Sequence, residues 1–272
     1  CDSLKGVGEN WKAAVPGIRF IPMTYPQNRK PEFGHDFTRA GYERVIREVE
    51  EATGLPFSEE ALAKSIEIYN EHNRVMREFA AAAKMHPEIS AQQRSDVFKS
   101  AFFMRKEEHT ALVKELLAAL SGETSEPPKK RIMTSGILAD APDLLRIFDE
   151  NGLQIVCDDV CAESRQYRTD APEEGEPLDR LVSKFCGMDD DTLLYDPTKH
   201  RIERLISDAQ EAKAQGIVVV MTKFCDPEEF DYPLIKEAAE QAEIPCLTIE
   251  VDRQMSDYAQ ARTAIETFKE LL

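Results

Sequence analysis

The stretch Gly216-Ile217-Val218-Val219-Val220-Met221 decides the fold class of this chain. Its last five residues, Ile217–Met221, are all apolar, so the strand they predict has no polar face. Helical patterns precede it at His200–Ala214 and follow it at Pro233–Ala242. A strand that is apolar on both faces needs helices on both sides, and this is typical of a parallel sheet. The sequence therefore predicts an α/β fold built around this strand.

The same alternation of strand and helix fills the C-terminal half of the chain. The further predicted strands are Arg131–Ser135, Leu153–Cys157 and Pro245–Val251, and the further predicted helices are Asp143–Glu150, Leu178–Phe185 and Tyr258–Leu272. We interpret residues 131–272 as an α/β domain with a parallel sheet, Rossmann-like or flavodoxin-like in type. Residues 122–130 are polar, contain a Pro-Pro pair and predict a linker before this domain.

The N-terminal half has a different pattern. Residues 34–121 predict a helical region, in which apolar or small residues after Ser58 recur along one helix face. Ser90 with Gln93 has the pattern of a capping box, and it predicts the start of a helix that runs from Val97 through Phe103. In residues 1–33 a short helical stretch leads to the strand-length run Ile18–Pro22. We interpret that segment as the remnant of a first α/β domain.

Composition excludes several classes of function. The chain has 272 residues, of which 34 are Lys or Arg and 51 are Asp or Glu, so its formal net charge is −17. Such a charge disfavours nucleic acids and anionic membranes as partners. No apolar run reaches the ~18–20 residues of a membrane span. The six cysteines are widely spaced, which indicates a reducing compartment, and we expect a soluble cytoplasmic protein.

Three predicted strand exits carry polar or reactive residues, where parallel sheets bind their ligands. They are Thr134-Ser135-Gly136, the segment from Cys157 to Arg165, and Thr222 to Glu229. Each also has an ordinary structural interpretation: a turn or helix cap, a buried thiol, or salt bridges from Asp158-Asp159 to Arg165 or Arg168. The C-x3-C spacing of Cys157 and Cys161 is wider than that of common zinc or redox sites, and no G-x-G-x-x-G, P-loop or G-x-S-x-G motif is present.

A set of longer strings, taken in order, is far more specific than any single motif. The strings are Cys1-Asp2-Ser3-Leu4, Glu9–Pro16 (ENWKAAVP), Tyr25–Lys30 (YPQNRK), Phe102–Thr110 (FFMRKEEHT), Thr134–Asp140 (TSGILAD), Asp158-Asp159 with Glu163-Ser164-Arg165, Lys223–Glu229 (KFCDPEE) and Gln260–Thr263 (QART). Over its full length the chain resembles the β (D-component) subunit of the (R)-2-hydroxyacyl-CoA dehydratases, which are relatives of benzoyl-CoA reductase.

The resemblance implies a [4Fe-4S] cluster held by three cysteine thiolates. The matching positions are Cys1 and Cys225, and the third ligand would lie upstream, because family subunits extend further before the position of Cys1. We therefore expect the chain to be a fragment whose first residue is internal. Ser135, Asp159 and Arg165 would line the cleft as neighbours of the bound group. Cys157 and Cys161 do not match ligand positions, and Cys186 and Cys246 are interpreted as packing thiols.

The implied reaction removes water from an (R)-2-hydroxyacyl-CoA to give the (E)-2-enoyl-CoA through a ketyl radical. The implied partners are an α subunit, which would hold most of the acyl-CoA substrate, and an ATP-dependent iron–sulfur activator, which would deliver the electron. This chain would relay or store that electron. Three alternatives stay open: a subunit of a benzoyl-CoA-reductase-type enzyme, a two-lobed binding lipoprotein carrying a lipid on Cys1, and a structural subunit without a cluster.

Overall fold

A computed structural model of the chain describes residues 2–122, 124, 127–252 and 254–272. Its elements, in chain order, are α1 (Asp2–Ala14), α2 (Glu32–Thr53), α3 (Glu59–Ala83), α4 (Ala91–Ser100), α5 (Lys106–Ala119), β1 (Lys130–Gly136), α6 (Pro142–Glu150), β2 (Leu153–Val160), a 3-10 helix (Ser164–Tyr167), α7 (Pro177–Gly187), α8 (His200–Glu211), β3 (Gly216–Thr222), α9 (Asp226–Gln241), β4 (Cys246–Val251) and α10 (Ala259–Lys269).

The four strands form one parallel sheet in the order β2-β1-β3-β4. The predicted α/β fold is thereby confirmed, and this order is the one that flavodoxin-like sheets begin with. Side chains alternate between the two faces of β3, as they do along any strand. Val218 and Val220 pack with α6 and α10 on one face, whereas Ile217 and Val219 pack with α8 and α9 on the other.

Burial of the central strand accounts for much of the stability of this layered arrangement. The four residues Ile217–Val220 are all 0% exposed. Each fully buried side chain of this kind contributes about 1.5–3 kcal/mol of transfer free energy. The apolar run that predicts the fold is therefore buried along its whole length, and residues 132–135 of the neighbouring β1 are buried equally completely.

The helical region packs against β2, which is an edge strand of the sheet. α3 packs against α5 through Val75, Met76, Phe79 and Val113, and α3 also contacts α7, the 3-10 helix and β2. α3 begins after Ser58, whose Oγ accepts a hydrogen bond from Ala61 N–H, and α4 begins after Ser90, which forms the predicted capping box with Gln93. The helix after Ser90 begins at Ala91, earlier than predicted, and ends at Ser100 because residues 101–103 turn.

The predicted strand Ile18–Pro22 is wrong. Residues 18–22 are irregular, and Ile18 is 57% exposed. A strand needs a neighbour to accept its backbone hydrogen bonds, and the described part of the chain places no strand beside this run. The segment lies over α2 instead, where Arg44 Nη2 donates to Pro22 O. The division into residues 1–33, 34–121 and 131–272 stays a prediction.

Two further boundaries differ from the sequence-based expectation, and both matter for the site. β2 continues to Val160, so Asp158 and Asp159 lie inside a buried strand and do not follow it. α9 begins at Asp226, earlier than the predicted Pro233, which lies inside the helix. Among the described residues no helix is both long enough and apolar enough to cross a bilayer.

Candidate functional site

The site lies beyond the carboxyl ends of β1 and β3, where the chain leaves these adjacent strands in opposite directions. The connection after β1 leads to α6 on one face, and the connection after β3 leads to α9 on the other. Such a switch point leaves a crevice in which open parallel sheets bind ligands. At Gly136, where φ is 153°, an added Cβ would lie 2.5 Å from Val220 O. Only glycine allows the two strand ends to approach this closely.

Cys225 occupies the turn that joins β3 to α9. It is the N-cap residue of α9 and is 6% exposed. Its N–H donates to Thr222 O at 3.1 Å, and its own carbonyl accepts from Glu229 N–H at 3.0 Å. The residue before it, Phe224, has a left-handed backbone with φ of 64° and a ring that is 80% exposed. The local chain therefore turns the phenyl ring outward and the thiol inward.

The protonation state of Cys225 is set by two opposing effects. Burial raises the pKa of the thiol, while the backbone of Glu228, in the first turn of α9, opposes this rise. Thiolates are the form that binds soft metals, and the positive end of a helix favours them. Cys225 would therefore release a proton on binding a metal.

Behind Cys225 lies a buried network of charges, which we call the Arg201 cluster. Its members come from β1, β2, the 3-10 helix, α9 and the chain around the start of α8: Ser135, Asp159, Arg165, Arg168, Asp191, Lys199, Arg201, Glu228 and Asp231. The four cations match the four carboxylates in number. Because most of these side chains are almost fully buried, each charge depends on its partners for stabilisation.

Asp159 is the common acceptor of three arginines in this cluster. Its carboxylate lies 3.0 Å from Arg165 Nη2, 2.9 Å from Arg168 Nη1 and 2.8 Å from Arg201 Nη2. Burial alone would raise the pKa of Asp159, but the three guanidinium charges outweigh it and hold the pKa below its usual value. Asp159 is therefore a carboxylate at neutral pH.

The predicted neighbours of the site, Ser135, Asp159 and Arg165, do lie together. Ser135 faces Asp159 across the β1–β2 pairing and donates to Oδ2 at 3.3 Å, and Arg165 Nη2 donates to both the backbone and the side chain of Asp159. The suggested salt bridges from Asp159 to Arg165 and Arg168 are present. Whether these residues act on a bound group stays a prediction.

Glu228 is the least satisfied member of the cluster. It is 1% exposed, and neither carboxylate oxygen accepts a hydrogen bond from any described residue. Arg201 Nη2 lies 3.1 Å from Oε1, close enough for charge attraction but without hydrogen-bond geometry. Burial raises the pKa of Glu228, against the opposing charges of Arg201 and Arg165.

A second buried group, the Arg94 cluster, lies on the other face of β2. It consists of Arg94, Asp158 and Glu163, and both carboxylates contact the guanidinium directly. Arg94 also covers the ring of Phe98, with 4.8 Å from Cζ to the ring centroid. Asp158 Oδ1 accepts from Ser164 N–H at 3.0 Å and Ser164 Oγ at 2.7 Å. This group joins α4 to the sheet.

Four members of the Arg201 cluster have no signal in the sequence: Asp191, Lys199, Arg201 and Asp231. Their partners are distant in sequence, with Arg201 42 residues from Asp159 and 30 residues from Asp231, so no local motif reveals them. The start of α9 did have a signal. Pro227 in the first helical turn, with acidic residues beside it, is typical of a helix N-terminus.

Comparison with known proteins identifies the family. The whole chain, residues 1–272, matches the family described as 2-hydroxyglutaryl-CoA dehydratase, D-component. The chain belongs to this family. It is 47% identical to the (R)-phenyllactyl-CoA dehydratase beta subunit of Clostridium sporogenes and 42% identical to the lactoyl-CoA dehydratase subunit beta of Anaerotignum propionicum. In both comparisons the match covers 100% of this chain and 73% of the relative.

A third relative is the (R)-2-hydroxyglutaryl-CoA dehydratase subunit beta of Acidaminococcus fermentans. It is 36% identical, and the match covers 100% of this chain and 74% of that protein. All three relatives are named as dehydratase β subunits. The predicted family is therefore confirmed, and so is the predicted enzyme class, a subunit of a lyase.

In this D-component chain, Cys225 is the residue best placed to ligate a metal group. Its soft sulfur and its position at a helix N-terminus suit an iron–sulfur ligand. Within residues 2–122, 124, 127–252 and 254–272, no three His, Cys, Asp or Glu side chains converge to hold a metal ion. That Cys225 ligates a metal group stays a prediction. Cys1, the other predicted ligand, lies outside the described residues.

The remaining cysteines have packing environments. Cys186 is buried, as predicted, whereas Cys157, Cys161 and Cys246 are partly buried. Cys157 Sγ lies 3.7 Å from Asp208 O in the middle of β2, not at its end, and burial raises its pKa to about 12. Burial also raises the pKa of Cys246 to about 11. The surroundings of Cys157 and Cys246 therefore favour the neutral thiol.

Proposed function

We propose that this chain is the β subunit of an (R)-2-hydroxyacyl-CoA dehydratase in which Cys225 ligates a [4Fe-4S] cluster. The observation that carries the proposal is the position of Cys225, which lies at the switch point of the sheet and at the N-terminus of α9. The similarity to three dehydratase β subunits, at 36–47% identity, supports the same assignment. Such a cluster supplies one-electron transfer when it is bound.

Residues of this chain hold the Cys225 thiol in place and limit the access of water to it. The backbone of Glu228, at the positive end of α9, favours the deprotonated sulfur of Cys225 and lowers its pKa against the effect of burial. Cys225 is almost fully buried, and the Arg201 cluster fills the space behind it with paired charges and not with bulk water. Cys1 and one further cysteine upstream complete the proposed ligand set.

The proposal assigns the other steps to partners. An ATP-dependent iron–sulfur activator delivers the electron, this chain stores or relays it, and an α subunit holds most of the acyl-CoA. The three relatives are named for phenyllactyl, lactoyl and 2-hydroxyglutaryl thioesters. Since related β subunits serve such different acyl groups, we infer that the acyl group is selected in the partner chain. The proposed location is the cytoplasm.

The decisive test is the metal content of the assembled heterodimer with Cys225→Ser. Serine keeps the size of the side chain but removes the soft ligand, so we expect iron and acid-labile sulfide to fall by the share of one cluster. Cys246→Ser is the matched control, because Cys246 begins β4 at the opposite end of the sheet. Unchanged iron in Cys225→Ser would overturn the assignment of Cys225.

The same preparation separates dehydration from reduction. With activator, ATP and a 2-hydroxyacyl-CoA, a dehydratase releases the enoyl-CoA and returns its electron for reuse. A benzoyl-CoA-reductase-type enzyme would instead consume electrons in proportion to product. Product analysis by mass spectrometry, with the reductant measured in parallel, distinguishes the two.

A further inference from the structure

We propose that Arg201 is a positioning residue that fixes Cys225 at the carboxyl edge of the sheet. This inference rests on the proposed function, because it gives Cys225 the role of ligand. It concerns the first two turns of α9, which carry Cys225 at their start.

Arg201 gathers side chains from three elements around one guanidinium. Nε and Nη2 bind Asp159 of β2 at 2.9 and 2.8 Å, Nη1 binds Asp231 of α9 at 2.9 Å, and Nη2 also donates to Ser135 of β1 at 3.2 Å. The side chain is 3% exposed. A planar guanidinium with five donors can make such contacts in several directions at once, which an ammonium group cannot do.

The contacts of Arg201 with α9 are the ones that bear on Cys225. Asp231 lies in the second turn of the helix, and Glu228, whose Oε1 is 3.1 Å from Arg201 Nη2, lies in the first. In the same turn, the carbonyl of Cys225 accepts from the backbone N–H of Glu229 at 3.0 Å. Holding these two carboxylates therefore holds the turn that places the thiol.

The backbone is strained at the start of both helices that Arg201 joins, α8 and α9. Lys199 and Phe224 both have left-handed backbones, with φ of 54° and 64°. This conformation is unfavourable for residues other than glycine and persists where surrounding contacts enforce it. Lys199 Nζ also binds Asp231, at 2.6 Å, so the chain at the start of α8 holds α9 through two cations. Loss of Arg201 should let the turn at Phe224 relax and expose Cys225.

Arg168 provides the matched control. Like Arg201, it binds Asp159, with 2.9 Å from Nη1 to Oδ1, and it is mostly buried. Its other contacts are Asp158 O and Asp208, and it forms no hydrogen bond or ion pair with the described residues of α9. Removing Arg168 disturbs Asp159 equally directly but leaves the contacts of α9 in place.

The test is alkylation of Cys225 by iodoacetamide in the heterodimer, after iron has been removed with a chelator. The rate is measured by peptide mass spectrometry relative to Cys246 in the same sample. Because removing one partner of a buried ion pair is strongly destabilising, we expect Arg201→Gln to raise the Cys225 rate at least about tenfold through local opening. Arg201→Lys should give an intermediate rate, and Arg168→Gln should leave the rate unchanged.

The variants also separate positioning from general loss of structure. The rates are compared at a temperature at which circular dichroism shows all variants to be folded. If Arg201→Gln does not fold, Arg201→Lys is compared with Arg168→Lys instead. Equal rates in the Arg201 and Arg168 variants would overturn the inference. In the iron-loaded heterodimer, Arg201→Gln should alter the electron paramagnetic resonance spectrum of the reduced cluster, whereas Arg168→Gln should not. Failure of the proposed function would appear separately, as unchanged iron in Cys225→Ser.

Discussion

Asp158 and Asp159 are neighbours on one strand, yet they serve two different parts of the molecule. Because successive strand residues point to opposite faces, Asp158 meets the Arg94 cluster and Asp159 meets the Arg201 cluster. In the Arg94 cluster one cation serves two carboxylates and joins α4 to the sheet. In the Arg201 cluster four cations and four carboxylates surround the start of α9, next to Cys225. The same buried ion pairing thus supports stability on one face and the geometry of the site on the other.

The largest effect that this comparison predicts is on stability, from Arg94→Met. Methionine fills similar space but leaves Asp158 and Glu163 buried without a cation. Removing one partner of a buried pair costs about 3–5 kcal/mol. The free energy of unfolding, measured by urea titration, should fall by this amount. In the folded variant, the alkylation rate of Cys225 should not change, since Arg94 does not contact α9.

A compensated variant tests the cause. If the loss comes from uncompensated charge, then adding Asp158→Asn and Glu163→Gln to Arg94→Met should restore most of the stability. A stability loss that persists in the triple variant would show that Arg94 acts mainly by packing on Phe98. A rise in Cys225 alkylation in Arg94→Met would break the comparison, because the two clusters would then be coupled.

The two clusters also show how far the sequence alone could lead. The strand Ile217–Met221 and the capping box at Ser90 were predictable, because their signals are local: unbroken apolarity and a three-residue spacing. The end of β2 was not predictable, since two adjacent aspartates normally end a buried strand. They remain inside it because Arg94 and Arg201, which are distant in sequence, neutralise them.

The site was predictable only in part for the same reason. Cys225 and the neighbours Ser135, Asp159 and Arg165 could be named from the strand exits and the family resemblance. Arg201 and Asp231 could not, since they lie on helices with no motif that distinguishes them from solvated charges. Conversely, the run Ile18–Pro22 has a local strand signal, but the described part of the chain places no strand beside it to accept its backbone hydrogen bonds.

The next largest effect is a dependence of stability on pH, and it comes from the helical region, where His72 of α3 meets His109 of α5. His72 is 1% exposed, its Nε2 lies 3.0 Å from His109 Nδ1, and its Nδ1 has no hydrogen-bond partner among the described residues. Burial lowers the pKa of His72 to about 4, from 6.5 in the unfolded chain. The unfolded state therefore binds a proton first as the pH falls. The free energy of unfolding should have its full value above pH 6.5. It should decline as the pH falls through 4, by about 3 kcal/mol in all.

Urea unfolding at a series of pH values measures this slope. His72→Gln should flatten the decline between pH 6.5 and 4, whatever its effect on stability at pH 7. His200→Gln is the matched control, because the His200 side chain is 64% exposed, and it should leave the slope unchanged. A slope that survives in His72→Gln would assign the acid sensitivity to other groups, the buried His109 first among them.

The smallest effect is expected from Ser135→Ala, and it separates members of the Arg201 cluster by importance. Ser135 Oγ makes two long hydrogen bonds, at 3.3 Å to Asp159 and 3.2 Å from Arg201. Both partners keep stronger contacts with each other, so the loss should be about 1 kcal/mol in urea unfolding. Thr134→Val is the control on the opposite face: the Thr134 hydroxyl is buried without a partner among the described residues, so its removal should cost nothing. A loss above about 3 kcal/mol in Ser135→Ala would mean that the hydroxyl, and not the guanidinium of Arg201, organises the cluster.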